Sequence, residues 1–142
     1  MHRIVLDTNV IVSGTILTTG VPAEILEAWR ERRFGLIIGP TVLTEVDRVL
    51  RLPKIARRYS LDLQSVQSLL ELLVARAIIV TEKGLVSPGL RDPKDNPILA
   101  CAVEGGADYI VTGDRDLLVL ERFQGIPIVS PAAFAAVLDA DR

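Results

Sequence analysis

Short apolar runs alternate along the chain with longer segments in which apolar residues recur at helical spacing. The runs are rich in β-branched residues and lack polar alternation, which is typical of strands buried on both faces. The predicted strands are residues 4–6, 36–38, 77–80, 109–111 and 126–129, and the predicted helices are residues 22–33, 40–50, 61–76, 97–104 and 115–121, with a last helix after Ser130. This alternation predicts an α/β fold, in which a mainly parallel sheet of about five strands carries helices on both faces.

The length of the chain fits a single globular domain. A chain of 142 residues can bury one core, and we expect one domain over residues 1–142. No apolar run approaches the ~20 residues that a membrane helix needs. The apolar run at residues 4–6 is too short for a signal peptide. We therefore expect a cytoplasmic protein that does not associate with a membrane.

The scarcity of cysteine and histidine excludes several kinds of site. Cys101 is the only cysteine, so no intramolecular disulfide and no cysteine-rich zinc site can form. Cys101 lies in an apolar stretch and is predicted to be a core residue, and His2 lies at the N-terminus, where a catalytic base would be unusual. Catalysis must then use carboxylates, hydroxyls, lysine or arginine. The formal charge of −2 gives no overall attraction to nucleic acid, so such binding would need local basic patches.

Acidic residues follow the predicted strands at the edge where parallel sheets bind their ligands. In such folds the ligand lies beyond the carboxyl ends of the strands. Three acid-bearing segments leave this edge of the predicted sheet. The first strand leads into Asp7-Thr8-Asn9, the fourth into Thr112-Gly113-Asp114-Arg115-Asp116, and the second into the helix that carries Glu45.

Two of the acids have ordinary structural interpretations. Asp7 can cap the helix or shape the turn that follows it. Asp95 precedes Asn96-Pro97, which is a typical helix start. Asp92 lies beside the same start, and the two acids together exceed what capping requires, although a helix dipole tolerates both.

The other acids are harder to explain as structural residues. Glu45 lies within the margin of its helix's apolar arc, where a carboxylate normally needs a cation or a specific partner, although it can also reach water. Capping accounts for one of Asp114 and Asp116 but not for both of them beside a strand-end threonine. These positions therefore favour a functional interpretation.

Convergence of the acids would have an electrostatic consequence. Carboxylates ~5 Å apart repel by ~3 kcal/mol per pair at an effective dielectric constant near 20, so a fold tolerates several together only with protonation or bound cations. Oxygen ligands without histidine or cysteine select Mg²⁺ or Mn²⁺ rather than zinc. Such ions on an open edge suit phosphodiester hydrolysis, where they activate water and stabilise the leaving oxygen.

The order and placement of these motifs resemble those of PIN-domain ribonucleases over nearly the whole chain. The chain resembles in particular the compact bacterial and archaeal members that are VapC-like toxins of toxin–antitoxin pairs. The matching pieces are Asp7-Thr8-Asn9, Glu45, Asp95 at the start of Asp-Asn-Pro-Ile-Leu, and Thr112-Gly113-Asp114-Arg115-Asp116-Leu117-Leu118.

The resemblance implies a three-layer α/β/α sandwich and Mg²⁺- or Mn²⁺-dependent hydrolysis of RNA that leaves 5′-phosphate ends. It also implies a homodimer and a protein antitoxin as partner. Its site would comprise the metal-binding acids Asp7, Glu45, Asp95 and Asp114, the additional acid Asp116, the supporting hydroxyl of Thr112, and Asn9, which would order the first loop.

Substrate contacts are less well defined by the sequence. A basic run follows the Glu45 helix, and a weaker one comprises Arg30, Arg32 and Arg33. No aromatic residues interleave with either run, so base stacking is not supported. The first run can hold RNA phosphates or an acidic antitoxin segment, or it can be a solvated surface. Its members are Arg48, Arg51, Lys54, Arg57 and Arg58.

Two other functions stay open at this level. A haloacid-dehalogenase-like phosphatase also places an aspartate nucleophile, here Asp7, after the first strand, but its motif needs a second aspartate at the position of Asn9. A non-catalytic domain that binds a partner through its acidic edge is the other alternative.

Overall fold

A central sheet organises the protein, seen in a computed structural model that describes residues 1–82 and 96–141. The strand order is β3-β2-β1-β4-β6-β5. The strands are β1 (Arg3–Leu6), β2 (Gly35–Ile38), β3 (Ile78–Ile79), β4 (Tyr109–Val111), β5 (Arg122–Phe123) and β6 (Ile126–Val129). The helices are α1 (Thr8–Ile16), α2 (Val21–Arg30), α3 (Pro40–Leu50), α4 (Pro53–Arg58), α5 (Leu63–Arg76), α6 (Asn96–Gly105), α7 (Arg115–Leu118) and α8 (Pro131–Ala140).

Strand β1 occupies the middle of the sheet and pairs in parallel with β2 on one side and β4 on the other. Strand β3 extends the parallel pairing beyond β2, and β6 extends it beyond β4. Ile4, Val5 and Leu6 are almost fully buried, as expected for a strand covered on both faces. The predicted α/β fold with a mainly parallel sheet is confirmed. Parallel pairing brings the carboxyl ends of β1, β2 and β4 to one edge.

The sheet has one strand more than the sequence pattern predicts. Strand β5 pairs antiparallel with β6 in a hairpin at the edge of the sheet. Gln124 and Gly125 form its turn with φ values of 49° and 80°, the left-handed backbone that a two-residue hairpin turn requires. A strand of two residues carries too short a pattern to be recognised from the sequence.

Helices α1 and α4 lie where the sequence pattern predicts no helix. In α1, Val10, Ile11, Val12 and Gly14 are all buried, and only Asn9 is exposed, so the polar face is too narrow to make helical periodicity visible. Helix α4 buries none of its residues, so it has no apolar stripe. Both helices are therefore hidden from an analysis that depends on periodicity.

Three predicted helices are shorter than expected. Helix α2 ends at Arg30, and Arg32 has a φ of 63°, which is incompatible with a continuing α-helix. Helix α5 begins at Leu63 because Asp62 is its N-cap, and the Asp62 carboxylate accepts a hydrogen bond of 2.6 Å from the Ser65 amide. Helix α7 ends at Leu118, and Glu121 has a φ of 60°, which is incompatible with a continuing α-helix. The capping residue and the left-handed residues set these boundaries.

Cys101 is buried in the core, which confirms the sequence prediction. Burial and the nearby carboxylates of Glu82 and Glu104 raise the pKa of its thiol to about 12, so the thiol stays protonated at neutral pH. Among the described residues, no single helix has both the length and the apolar character to cross a membrane. Helices α1 and α2 have the required length and apolar character only when they are taken together, and the pair is bent by 92°.

Helices α1 and α2 pack closely at Gly14, and a methyl group there should be costly. A Cβ atom at Gly14 would lie 2.6 Å from the Pro22 carbonyl oxygen and 2.8 Å from Leu26 Cγ. We expect Gly14→Ala to lower the free energy of unfolding by ~1–3 kcal/mol through overpacking, measured by urea unfolding. Gly113→Ala is the control, since its Cβ would meet nothing within 4 Å. Equal unfolding midpoints for the two variants would contradict this close packing.

Candidate active site

Asp7 lies at the carboxyl end of the central strand. Its amide donates a hydrogen bond of 2.9 Å to the Val111 carbonyl, so the pairing of β1 with β4 continues to this residue. Asp7 precedes helix α1, but its side chain makes no capping hydrogen bond to that helix. Instead, its carboxylate oxygen Oδ2 accepts a hydrogen bond of 2.7 Å from the Thr112 hydroxyl. The carboxylate is therefore held by the neighbouring strand end, together with a hydrogen bond from the Thr8 amide at the start of α1.

Thr112 is fully buried and connects two of the acidic segments. Its hydroxyl oxygen donates to Asp7 and accepts a hydrogen bond of 3.0 Å from the Asp114 amide. The Thr112 amide donates a hydrogen bond of 3.0 Å to the Val129 carbonyl of β6. The hydroxyl thus uses both its donor and an acceptor position to fix the segment after β4 against the end of β1.

Asp114 and Asp116 form the turn that begins α7. Asp114 is the N-cap, and its Oδ1 atom accepts a hydrogen bond of 2.9 Å from the Asp116 amide. Both side chains are half-buried. The capping interpretation therefore holds for Asp114, and capping also fixes the orientation of its carboxylate beside Asp7.

Glu45 approaches from the other side of β1, on the helix that follows β2. It is half-buried, and the buried face of α3 is formed by Val42, Val46 and Leu50. The N-terminus of α3 has no cap from its own N-cap residue. The Glu82 carboxylate takes that place by accepting a hydrogen bond of 2.6 Å from the Thr41 amide and another from the Thr41 hydroxyl.

Glu82 is a supporting residue that the sequence analysis missed. It lies 41 residues from Thr41 along the chain, so no local pattern reveals the contact. By satisfying the free amide at the start of α3, it fixes the helix that presents Glu45.

The electrostatics of Asp7 show that three carboxylates share this edge. Burial raises the pKa of Asp7 above its usual value, while hydrogen bonds from the Thr112 hydroxyl and the Thr8 amide oppose the rise. The negative charges of Asp114 and Glu45 raise it further. Carboxylates from the ends of β1 and β4 and from the helix after β2 therefore interact across the central strand.

A family model described as a PIN domain matches residues 3–116 of the chain. The chain belongs to the PIN-domain family. This finding confirms the family resemblance that the sequence motifs predicted. PIN domains are generally nucleases, and they generally use divalent metal ions.

Proteins similar to this PIN domain are found among both sequences and solved structures. The uncharacterized protein MJ1680 of Methanocaldococcus jannaschii is 31% identical over 123 residues, which cover 83% of this chain and 74% of the relative. VapBC2 of Rickettsia felis has a TM-score of 0.56 at 18% identity, and the match covers 90% of this chain and 98% of the VapBC2 chain. That structure was crystallised with a DNA fragment from the VapBC2 promoter. FitAcB of Neisseria gonorrhoeae has a TM-score of 0.52 at 17% identity, and the match covers 91% of this chain and 98% of the FitAcB chain. The two structures share the fold of this PIN domain.

The donor chemistry of this PIN domain fits a hard divalent cation. The acids at the edge offer only oxygen ligands, and their mutual repulsion at Asp7 is the kind that a cation relieves. Within residues 1–82 and 96–141, no three acid, histidine or cysteine side chains form a complete metal-ligand group. Asp95, the remaining predicted ligand, and Asp92 lie outside the described residues.

His2 lies at the opposite end of β1 from Asp7. Its Nε2 atom is 3.0 Å from an Asp141 carboxylate oxygen, and its Nδ1 atom is 3.8 Å from an Asp108 oxygen. Its ring packs edge-on against Tyr109. The histidine therefore joins the chain termini and takes no part in the acidic edge.

The raised pKa of Asp7 predicts how this PIN domain responds to pH without metal. The folded protein favours the protonated form of Asp7, because the pKa of Asp7 is higher in the folded than in the unfolded protein. The stabilisation that protonation provides is complete below the unfolded pKa of 3.8 and is lost as the pH rises through the folded pKa. In EDTA, Asp7→Asn should therefore increase the free energy of unfolding at pH 7 relative to wild type. This gain should disappear at about pH 3.8 and below. Urea unfolding across a pH series measures it.

Asp62→Asn is the matched control with the opposite sign. Hydrogen bonds from the Ser65 amide and hydroxyl lower the pKa of Asp62, so its stabilising contribution is present above pH 3.8 and is lost as pH falls. This variant should be less stable than wild type at pH 7 and should converge with it in acid. If Asp7→Asn behaved like Asp62→Asn, the raised pKa that burial and the neighbouring carboxylates give Asp7 would be contradicted.

Proposed function

We propose that this PIN domain is a metal-dependent endoribonuclease and the toxin of a toxin–antitoxin pair. The observation that carries the proposal is the half-buried Asp7 carboxylate, held by Thr112 and repelled by Asp114 and Glu45. A fold gains no stability from such a cluster, so its retention favours a function that needs concentrated negative charge. General nuclease activity in the family supports the same conclusion.

The residues of the edge divide into ligands and supports. Asp7, Glu45, Asp95, Asp114 and Asp116 would hold Mg²⁺ or Mn²⁺. When bound, such ions supply Lewis acidity at the scissile phosphate and lower the pKa of the attacking water. Thr112 orients Asp7 and the segment that carries Asp114 through its two hydrogen bonds. It therefore reduces the rearrangement that ion binding requires.

The partners of the protein form part of the same proposal. The substrate class is RNA, the predicted partner is an antitoxin, and the predicted assembly is a homodimer. The fold shared with VapBC2 and FitAcB supports the toxin–antitoxin assignment. The cytoplasmic location, the single domain and the role of Asn9 in ordering the first loop stay predictions.

Two alternatives are tested by the same protein. The aspartyl phosphatase loses support from membership in the PIN family and from Asn9, which stands where that mechanism needs an aspartate. It would show turnover of a small phosphomonoester through a covalent intermediate on Asp7. A non-catalytic binding domain would show neither reaction.

Purified protein should cleave total cellular RNA in the presence of MgCl₂ or MnCl₂ and not in EDTA. We expect new internal 5′-phosphate ends, mapped by ligation and sequencing. Asp7→Asn, Asp114→Asn and Asp95→Asn should each slow cleavage by about 100-fold or more, because each removes a charged ligand.

Glu45→Gln and Asp47→Asn form a matched pair on α3. The Asp47 carboxylate pairs with the Arg51 guanidinium on the same helix. Glu45→Gln should lose cleavage and Asp47→Asn should keep a near-wild-type rate. Undiminished cleavage by Asp7→Asn and Asp114→Asn would refute the proposed site.

A further inference from the structure

A groove opens beside Glu45 on the surface of α3. It has a volume of about 500 Å³, and the described residues that line it are Pro40, Thr41, Thr44, Glu45 and Arg48. We call it the α3 groove. Glu45 and Arg48 are three residues apart on one helix, so their side chains are neighbours on the same face. The groove therefore places one guanidinium next to the acidic edge.

Arg48, Lys54 and Arg57 of the basic run have no partner within the described residues, and of these three only Arg48 lines the α3 groove. The Arg48 side chain is exposed and makes no hydrogen bond or ion pair with any residue in 1–82 or 96–141. Arg51 is paired with the Asp47 carboxylate and donates a hydrogen bond of 3.0 Å to the Gln67 side-chain oxygen. The Arg58 guanidinium stacks 5.5 Å from the centre of the Tyr59 ring.

The structural interactions of Arg48 within the described residues are weak. The side chain is exposed in the last turn of α3, where a cation gains only a small stabilisation from the helix dipole, and it makes no ion pair with Glu45 one turn away. A guanidinium is suited to a phosphate because its planar donors match two phosphate oxygens. A chain of phosphodiesters that passes through an acidic site needs such a cation beside the site, since the carboxylates repel its phosphates.

We propose that the α3 groove holds the RNA strand next to the scissile phosphate, with Arg48 binding a neighbouring phosphate. This inference rests on the proposed ribonuclease function and assigns a substrate-binding residue to it. Arg51 and Arg58 are held by partners on the protein and take no phosphate. Contact of Arg48 with an acidic protein segment instead of RNA is an alternative outcome of the test.

The dissociation constant of a labelled 30-nucleotide RNA of random sequence tests the groove. It is measured by fluorescence anisotropy in EDTA from 50 to 300 mM KCl for wild type, Arg48→Gln, Arg48→Lys and Arg51→Gln. One lost phosphate contact on a single strand should make the slope of log K against log salt shallower by about 0.7. The affinity of Arg48→Gln for the RNA should fall about 5-fold at 0.1 M KCl, because a slope change of about 0.7 over the tenfold range from 1 M to 0.1 M salt corresponds to that factor. Arg48→Lys should keep the slope, and Arg51→Gln should match wild type.

The outcomes separate this inference from the proposed function. Cleavage of total RNA by wild type in MnCl₂ tests the function by itself, and its absence would overturn both. A second outcome is that wild type cleaves RNA while Arg48→Gln and Arg51→Gln show the same slope of log K against log salt. That result would refute only the proposal that Arg48 binds an RNA phosphate in the α3 groove. That result would leave an acidic protein segment as the partner of Arg48. Melting temperatures of the variants within about 2 °C of wild type would show that the slopes compare folded proteins.

Discussion

Burial of the Asp7 carboxylate at the end of the central strand is the constraint around which this edge of the protein is arranged. Burial and two neighbouring negative charges disfavour its ionised form, and hydrogen bonds from Thr112 and Thr8 compensate only in part. The site is therefore expected to reduce stability in the absence of a cation. The parallel sheet makes the arrangement possible, because β1 has a neighbour on each side that delivers an acid to the same edge.

The supporting contacts show how the fold keeps these charges in place. The hydroxyl of Thr112 joins the ends of β1 and β4, and the carboxylate of Glu82 closes the start of the helix that carries Glu45. Each contact satisfies a backbone amide or hydroxyl that would otherwise be unpaired, so the stabilisation it provides offsets part of the repulsion. The same helix carries Arg48 on its exposed side, which couples the acidic edge to the groove beside it.

The sequence predicts the sheet and its acidic edge because both depend on local patterns. Buried strands give short apolar runs, and acids at strand ends are visible next to them, as at Asp7 and Asp114. Features that depend on tertiary packing escape prediction. Helix α1 is buried over most of its surface, β5 is two residues long, and the contact of Glu82 with Thr41 joins distant parts of the chain. Sequence patterns also do not distinguish Arg51, which is paired with Asp47, from Arg48, which has no partner in the part of the chain that the structure describes.

Thermal unfolding with and without MnCl₂ tests most directly whether the converging carboxylates form a cation site. An ion that binds only the folded protein stabilises it by about 2.7 kcal/mol at 100 times its dissociation constant. The melting temperature of wild type should therefore rise with MnCl₂ at pH 7, and that of Asp7→Asn should stay near its value in EDTA. Equal shifts in the two proteins, or no shift in either, would contradict a cation site at Asp7.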